Sequence, residues 1–174
     1  RAQVLRAHEE RMVRTMPSNG VRVAKHALDI IGDVHGCFDE LVELLAQLGW
    51  GRDASGAWAH PDGRFLVFVG DLVDRGPKRL AVVDLGDELV RQEAALLVRG
   101  NHDDKLLRYL NGRKVKVDEH LQTTVDELER LSTSEREEAS MRAKALIHAA
   151  PYYALLDPDD QQTFGARVVV AHAA

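Results

Sequence analysis

Cysteine is almost absent from this chain: Cys37 is the single example in 174 residues. One thiol can close no internal disulfide and build no thiolate zinc cluster, so any metal must be held by His, Asp, Glu or Asn. Long apolar runs are missing too. The longest are strand-like stretches such as Phe65 to Val69, far short of a bilayer span, and no basic-then-apolar leader opens the chain, so a cytoplasmic protein is expected. An excess of basic charge is also lacking. The formal net charge is −5 and the sequence pI about 5.9, which excludes a general nucleic-acid or membrane coat and requires any anionic substrate to be held locally. What is present, 45% apolar, 29% charged and 5% aromatic residues, is the composition of one ordinary soluble domain. The chain starts at Arg1 rather than Met and stops two residues after His172, so it reads as a piece of something longer.

Residues 3–16 place Val4, Leu5, Met12, Val13 and Met16 at roughly helical spacing, before the breaker run Pro17-Ser18-Asn19-Gly20. The spacing predicts an amphipathic helix there, and 1–26 reads as a linker or the tail of a preceding domain. From residue 27 onward a short apolar run repeatedly ends in a Gly/Asp/His-rich turn and is followed by a helical pattern. The runs are 27–31, 65–69, 94–98 and 167–171. Helices are predicted after the first, with Phe38, Leu41, Leu45 and Leu48 on one face, and after the second, with Val82, Leu85 and Leu89. Alternating strand and helix implies an α/β (α+β) fold with a parallel or mixed sheet. The stretch 58–64, with His60-Pro61-Asp62-Gly63, reads as a turn. Residues 104–150 break the rhythm and read as a helical insertion of two or three helices, with capping-box candidates at Ser132–Glu135 and Ser134–Glu137 and a solvated face at Glu135-Arg136-Glu137-Glu138.

Four turns carry the unusual residues: Gly32-Asp33-Val34-His35-Gly36, Gly70-Asp71-Leu72-Val73-Asp74-Arg75-Gly76, Gly100-Asn101-His102-Asp103 and Ala171-His172-Ala173. Each follows an apolar strand, and loops at the carboxyl ends of such strands converge on one edge of an open α/β sheet. Five of the 13 glycines sit in these turns, where a sharp exit or a close approach of the backbone needs them. Asp33, His35, Asp71, Asn101 and His172 are oxygen and imidazole donors suited to borderline divalent cations, and more than one ion requires. Two cations sharing Asp71, on the middle turn, is the economical arrangement, and it would leave a positive pocket in an acidic protein.

These four motifs, in this order, resemble the signature of the calcineurin-like metallophosphoesterases, the branch holding protein Ser/Thr phosphatases and diadenosine tetraphosphate hydrolases. With His60-Pro61-Asp62-Gly63-Arg64, 67–77 and 100–115 included, the resemblance extends to the central phosphatase domain of bacterial polynucleotide kinase-phosphatase and covers 27–174. It implies a metallophosphoesterase domain of mixed sheet layers flanked by helices. Asp33, His35 and Asp71 would hold one metal, and Asp71, Asn101 and His172 the other, with manganese or nickel expected. Arg75 and Asn101 would bind the phosphate, His102 would be the general acid and Asp74 would orient it, with attack by metal-activated hydroxide.

The function so implied is healing of RNA 2′,3′-cyclic phosphate and 3′-phosphate ends, as part of a kinase-phosphatase-ligase RNA repair protein. Its partners would be a phosphorylated RNA 3′ end, kinase and ligase domains of the same polypeptide and an RNA 3′-terminal ribose methyltransferase. The resemblance also places a further metal-binding histidine downstream of His172, so the second site is expected to be incomplete in this piece. A symmetrical dinucleoside tetraphosphate hydrolase or a protein Ser/Thr phosphatase shares every motif residue and is the alternative. An inactive phosphate-binding fragment is the alternative of another class. Singly, the residues have plainer readings: Arg75 as an ion-pair partner of Asp74, Asp103 as a helix cap, Cys37 as a packed residue, and His8, His26, His60, His120 and His148 as surface or core residues.

Overall fold

The computed structural model describes residues 13–16, 20–23, 27–156 and 168–172. Among these residues, nine strands and five helices run in the order β1 (Val13–Met16), β2 (Gly20–Val23), β3 (Leu28–Ile31), α1 (Phe38–Gln47), β4 (Gly51–Arg52), β5 (Trp58–Ala59), β6 (Phe65–Phe68), α2 (Arg79–Arg91), β7 (Ala95–Leu97), α3 (Asn101–Leu110), α4 (Glu119–Glu129), α5 (Thr133–Ala149), β8 (Tyr153–Leu156) and β9 (Val168–Ala171). This is a mixed α/β fold, as the alternation of strand and helix implied.

The centre is a parallel sheet in the order β3-β6-β7. Its middle strand reads Phe-Leu-Val-Phe without a polar residue because both faces are covered. Leu66 and Phe68 face the main core, with Leu41 and Leu45 of α1 and Val82, Leu85 and Leu89 of α2. Phe65 and Val67 face a second core shared with Val21, Val23, Ala154, Leu156 and Val170 of the other large sheet. Burying one such side chain contributes about 1.5–3 kcal/mol. The predicted face of α1 loses one member, since Leu48 lies past the helix end and is exposed.

The second sheet, β1-β2-β8-β9, is mixed: β2 and β8 run parallel, and the outer pairs antiparallel. It corrects the helix predicted over 3–16. Residues 13–16 form β1, register-paired with β2, and residues 3–12 lie outside the described residues. Val13 and Met16 fit a helical period, but a run this short is decided by pairing, and Gly20-Val21-Arg22-Val23 alternates as a half-buried strand does. The reading of 58–64 as a turn holds for His60 to Gly63, where Gly63 N donates to His60 O at 2.9 Å, while Trp58–Ala59 pairs with β4 as a small hairpin.

The insertion is three helices. Asp118 caps α4 by accepting from Leu121 N at 3.1 Å. Ser132 and Glu135 close the predicted capping box on α5, and Ser134 lies inside its first turn. Glu135 to Glu138 face solvent. No helix among the described residues is long and apolar enough to cross a membrane.

Candidate metal centre

The turns after β3, β6 and β7 meet the end of β9 at one edge of the fold, so residues far apart in sequence share one site. The first two turns are stitched together by backbone: Val34 N and His35 N both donate to Asp71 O, at 3.1 and 2.9 Å, and Gly36 N donates to Leu72 O at 2.9 Å. Side chains cannot intrude at these crossings. A Cβ on Gly100 would fall 2.1 Å from Asp71 Oδ1, and one on Gly76 2.3 Å from His35 O. Five non-glycine residues among those described have left-handed backbone, and four of them, His35, Asp71, Asp74 and Arg75, are in these two turns. Each such residue costs about 1–3 kcal/mol unless its surroundings dictate it, and such strain gathers at functional sites.

All five predicted metal donors come together. His35 Nε2 lies 3.6 Å from Asp33 Oδ2 and 3.7 Å from Asp71 Oδ2. His172 Nε2 lies 3.4 Å from Asp71 Oδ2 and 2.9 Å from Asn101 Oδ1. Asp71 is therefore common to both sets, as the middle turn implied. His102 completes one compact group with His35 and Asp71, and Asp33, Asp71 and His172 form another.

The donors fit divalent cations on three counts. His35 donates its Nδ1 proton to Val73 O at 2.8 Å, which leaves Nε2 as a lone-pair donor, buried and without a hydrogen-bond partner. His172 donates through Nδ1 to Val69 O at 2.7 Å, so its Nε2 lone pair faces an Asn101 oxygen, two acceptors that a cation between them satisfies. Asp71, 3% exposed, has no Lys or Arg ion-pair partner among the described residues, and a buried carboxylate needs compensating charge.

His102 and Asp74 form a dyad beside this centre. The ring donates from Nδ1 to Asp74 Oδ2 at 2.6 Å and turns Nε2 toward Asp71 Oδ2, 4.0 Å away. Asp74 is fully buried, and its other oxygen accepts from Thr124 Oγ1 at 2.6 Å. Arg75 is not an ion-pair partner of Asp74: its side chain is exposed and has no partner among the described residues.

Several contributors carried no sequence signal. Thr124 and Glu127 reach the site from α4: Glu127 accepts from Arg79 Nε at 2.6 Å, and the same guanidinium donates to Gly76 O. The His120 ring lies 5.9 Å from that of His102, edge to face. Asp103 does more than cap α3. Its carboxylate accepts from Gly100 N at 3.0 Å, Asp71 N at 2.8 Å and Leu72 N at 3.0 Å, clamping the second and third turns together. Complete burial pushes its carboxyl up to about 6 against the pull of those backbone donors.

Comparison with known proteins agrees with the fold and points to a different branch of the group. The family model for calcineurin-like phosphoesterases matches residues 27–160. The chain is 49% identical over 145 residues to the asymmetrical bis(5′-nucleosyl)-tetraphosphatase PrpE of Halalkalibacterium halodurans, covering 83% of this chain and 56% of that protein. It is 43% identical over 147 residues to the Bacillus subtilis protein of the same name, covering 84% and 57%. The chain thus spans a little over half the length of these relatives. Among solved structures, a protein provisionally described as a diadenosine tetraphosphatase superposes with a TM-score of 0.59 at 25% identity, over 90% of this chain and 55% of the other. A cold-active protein-tyrosine phosphatase of a psychrophilic Shewanella, with a TM-score of 0.54 at 22% identity over 82% and 42% of the two chains, shares the fold.

These relatives overturn the expected closeness to polynucleotide kinase-phosphatase. With it go RNA end healing as the function, and the RNA 3′ end, the kinase and ligase domains and the ribose methyltransferase as partners. The four motifs are common to the whole group, so they could not discriminate among its branches. What they identified holds: the chain belongs to the calcineurin-like phosphoesterase family.

Proposed function

We propose that the protein is a metal-dependent hydrolase of bis(5′-nucleosyl) tetraphosphates that cuts them asymmetrically. The observation that carries the chemistry is that Asp71 Oδ2 lies 3.7 Å from His35 Nε2 and 3.4 Å from His172 Nε2, with the His35 atom buried and unpartnered. The substrate class rests on the activity named for the relatives at 43–49% identity. In this reading Asp33, His35 and Asp71 hold one cation, and Asp71, Asn101 and His172 the other. Carboxylate, imidazole and amide donors suit manganese or nickel. When bound, two such cations supply Lewis-acid charge to phosphoryl oxygens and make water more acidic.

The protein's own groups do the rest. Arg75, exposed and unpaired among the described residues, offers a planar fork to two phosphoryl oxygens. His102, its Nδ1 proton fixed on Asp74, presents Nε2 to the centre as a general acid. Asp74 and Thr124 are positioning residues, because they act on the ring and not on the substrate. In the reaction, water adds to a terminal phosphorus of the chain, giving up a proton to solvent, and the bond from that phosphorus to the bridging oxygen breaks. The Nε2 proton passes to the bridging oxygen of the departing nucleoside triphosphate, and a nucleoside monophosphate is released.

Chromatography of the products with added manganese tests this reading. One nucleoside triphosphate and one monophosphate are expected. Two diphosphates would replace it with symmetrical cleavage, and no hydrolysis of a dinucleoside tetraphosphate alongside turnover of an aryl phosphate would overturn the substrate class.

A further inference from the structure

One face of α3 runs away from the metal centre and becomes basic. Asn101, Asp104, Lys105 and Arg108 follow one another at helical spacing, and they line a pocket of about 370 Å³ with Lys114 and Lys116. The chain returns along the helix because Gly112 turns it back with a φ of +69°, and Arg113 N donates to Arg108 O at 3.0 Å. The acidic side chains at this pocket are already used. Asp104 pairs with Arg99 at 3.5 Å, and Lys105 with Asp118. Arg108, Lys114 and Lys116 remain, exposed and with no ion-pair or hydrogen-bond partner among the described residues. Three uncompensated cations around one concavity are a local reversal of sign in a chain whose net charge is −5, and a concave site of one sign focuses its field on an anion of the other.

The pocket has a fixed relation to the centre. Asn101, in contact with His172, is at its near end, and Arg108 lies two helical turns on, about 10 Å along the axis. An anion that fills it while one of its phosphoryl groups is at the centre must be an extended chain of charges. We propose that this pocket is a subsite for the three phosphates on the leaving side of the scissile bond, held by Arg108, Lys114 and Lys116. This inference rests on the asymmetrical tetraphosphatase reading and deepens it. With three phosphates seated here, the phosphorus left at the centre is a terminal one, which explains release of a triphosphate instead of two diphosphates.

Two measurements test the subsite. Inorganic tripolyphosphate titrated calorimetrically into metal-free protein reads the pocket without hydrolysis. The triple variant Arg108→Gln, Lys114→Gln, Lys116→Gln should bind it about tenfold more weakly or worse, as expected for several exposed ion pairs lost together. The control Arg142→Gln, which removes a cation paired with Asp84 elsewhere, should bind as the parent does. Undiminished affinity in the triple variant overturns the subsite.

In steady-state kinetics with manganese, the triple variant should raise KM for a dinucleoside tetraphosphate about tenfold with kcat nearly unchanged, and leave both constants for an aryl phosphate as they were. Equal losses on the two substrates overturn it. The failures are distinguishable. If the parent ignores the tetraphosphate but only the triple variant loses tripolyphosphate, the substrate reading falls and the anion subsite stands. If the tetraphosphate is cleaved equally by both, the subsite falls and the substrate reading stands.

Discussion

The parallel sheet β3-β6-β7 supplies Asp33, His35, Asp71, Asp74, Arg75, Asn101 and His102 from the turns at its end, whereas the mixed sheet β1-β2-β8-β9 supplies His172 alone. The former are held by hydrogen bonds among the turns themselves, with Asp71 O tied to the first turn and Asp103 clamping the second to the third. His172 is held from across the molecule. Its Nδ1 donates to Val69 O, beyond the end of β6, and the strand behind it stays in place through the apolar layer in which Val170, Leu156 and Ala154 meet Phe65, Val67 and Leu96. One donor set is thus assembled locally, and the other depends on the docking of two sheets. The two should fail differently.

The largest effect removes the distinction. Asp71→Asn takes the shared carboxylate from both sets while keeping an oxygen for His102 N. Affinity for both cations should drop by more than the roughly 10–100-fold that follows loss of a mere ligand-orienting partner, and hydrolysis with it. Metal titration followed by atomic emission checks this, and loss of one ion only would show that Asp71 is not shared. Next is His102→Ala, expected to slow tetraphosphate hydrolysis about a hundredfold and an aryl phosphate much less, since a good leaving group needs little protonation. Equal losses would remove the general acid from the scheme.

A packing change separates the sheets. Leu156→Ala, in the layer between them, should destabilise the fold by about 2–5 kcal/mol and, in the protein that still folds, weaken the cation held by His172 more than the one held by His35. Leu45→Ala, between α1 and the parallel sheet, should cost a similar amount with no such preference. Thermal melts with metal stoichiometry measure both, and identical metal loss in the two variants would erase the contrast.

The same division governs what was legible in the sequence. β3, β6, β7 and β9 could be read because each ends in a turn whose chemistry marks it, and the candidate metal donors with them. β1, β2 and β8 carry no such marker. Tyr153–Leu156 is a strand because of a partner about 130 residues away, and Val13–Met16 because it pairs with that same partner, β2; local spacing had even suggested a helix over Val13–Met16. Within the site, Asp33, His35, Asp71, Asn101 and His172 were apparent from donor type and position. Thr124, Glu127 and His120 were not, since α4 brings the first two to the turns from some fifty residues off and His120 to His102, and nothing in their own neighbourhood distinguishes them. The branch of the family was illegible for a related reason: the motifs mark the centre, while the lining of the α3 pocket is built from ordinary lysines and arginines with no motif of their own.

The smallest predicted effect concerns acid. Asp29, on β3 and 7% exposed, accepts from Trp50 Nε1 at 2.8 Å and from Arg64 Nε at 2.9 Å. These donors, Arg64 foremost, hold its carboxyl below the usual carboxylate range despite burial. The unfolded chain, with a value near 4, takes up the proton more readily. The stabilisation is therefore complete above about pH 4 and disappears as pH falls through the lower folded value. Asp29→Asn should lower the denaturant midpoint at pH 7 and differ less from the parent at pH 3. The described strands of the mixed sheet contain no Asp or Glu and have no such dependence of their own. On acidification, amides of β3 and β6 should lose hydrogen-exchange protection before those of β8 and β9. Loss at one common pH would mean that the layer between the sheets makes them unfold as one unit, and that His172 is held as firmly as the residues it faces.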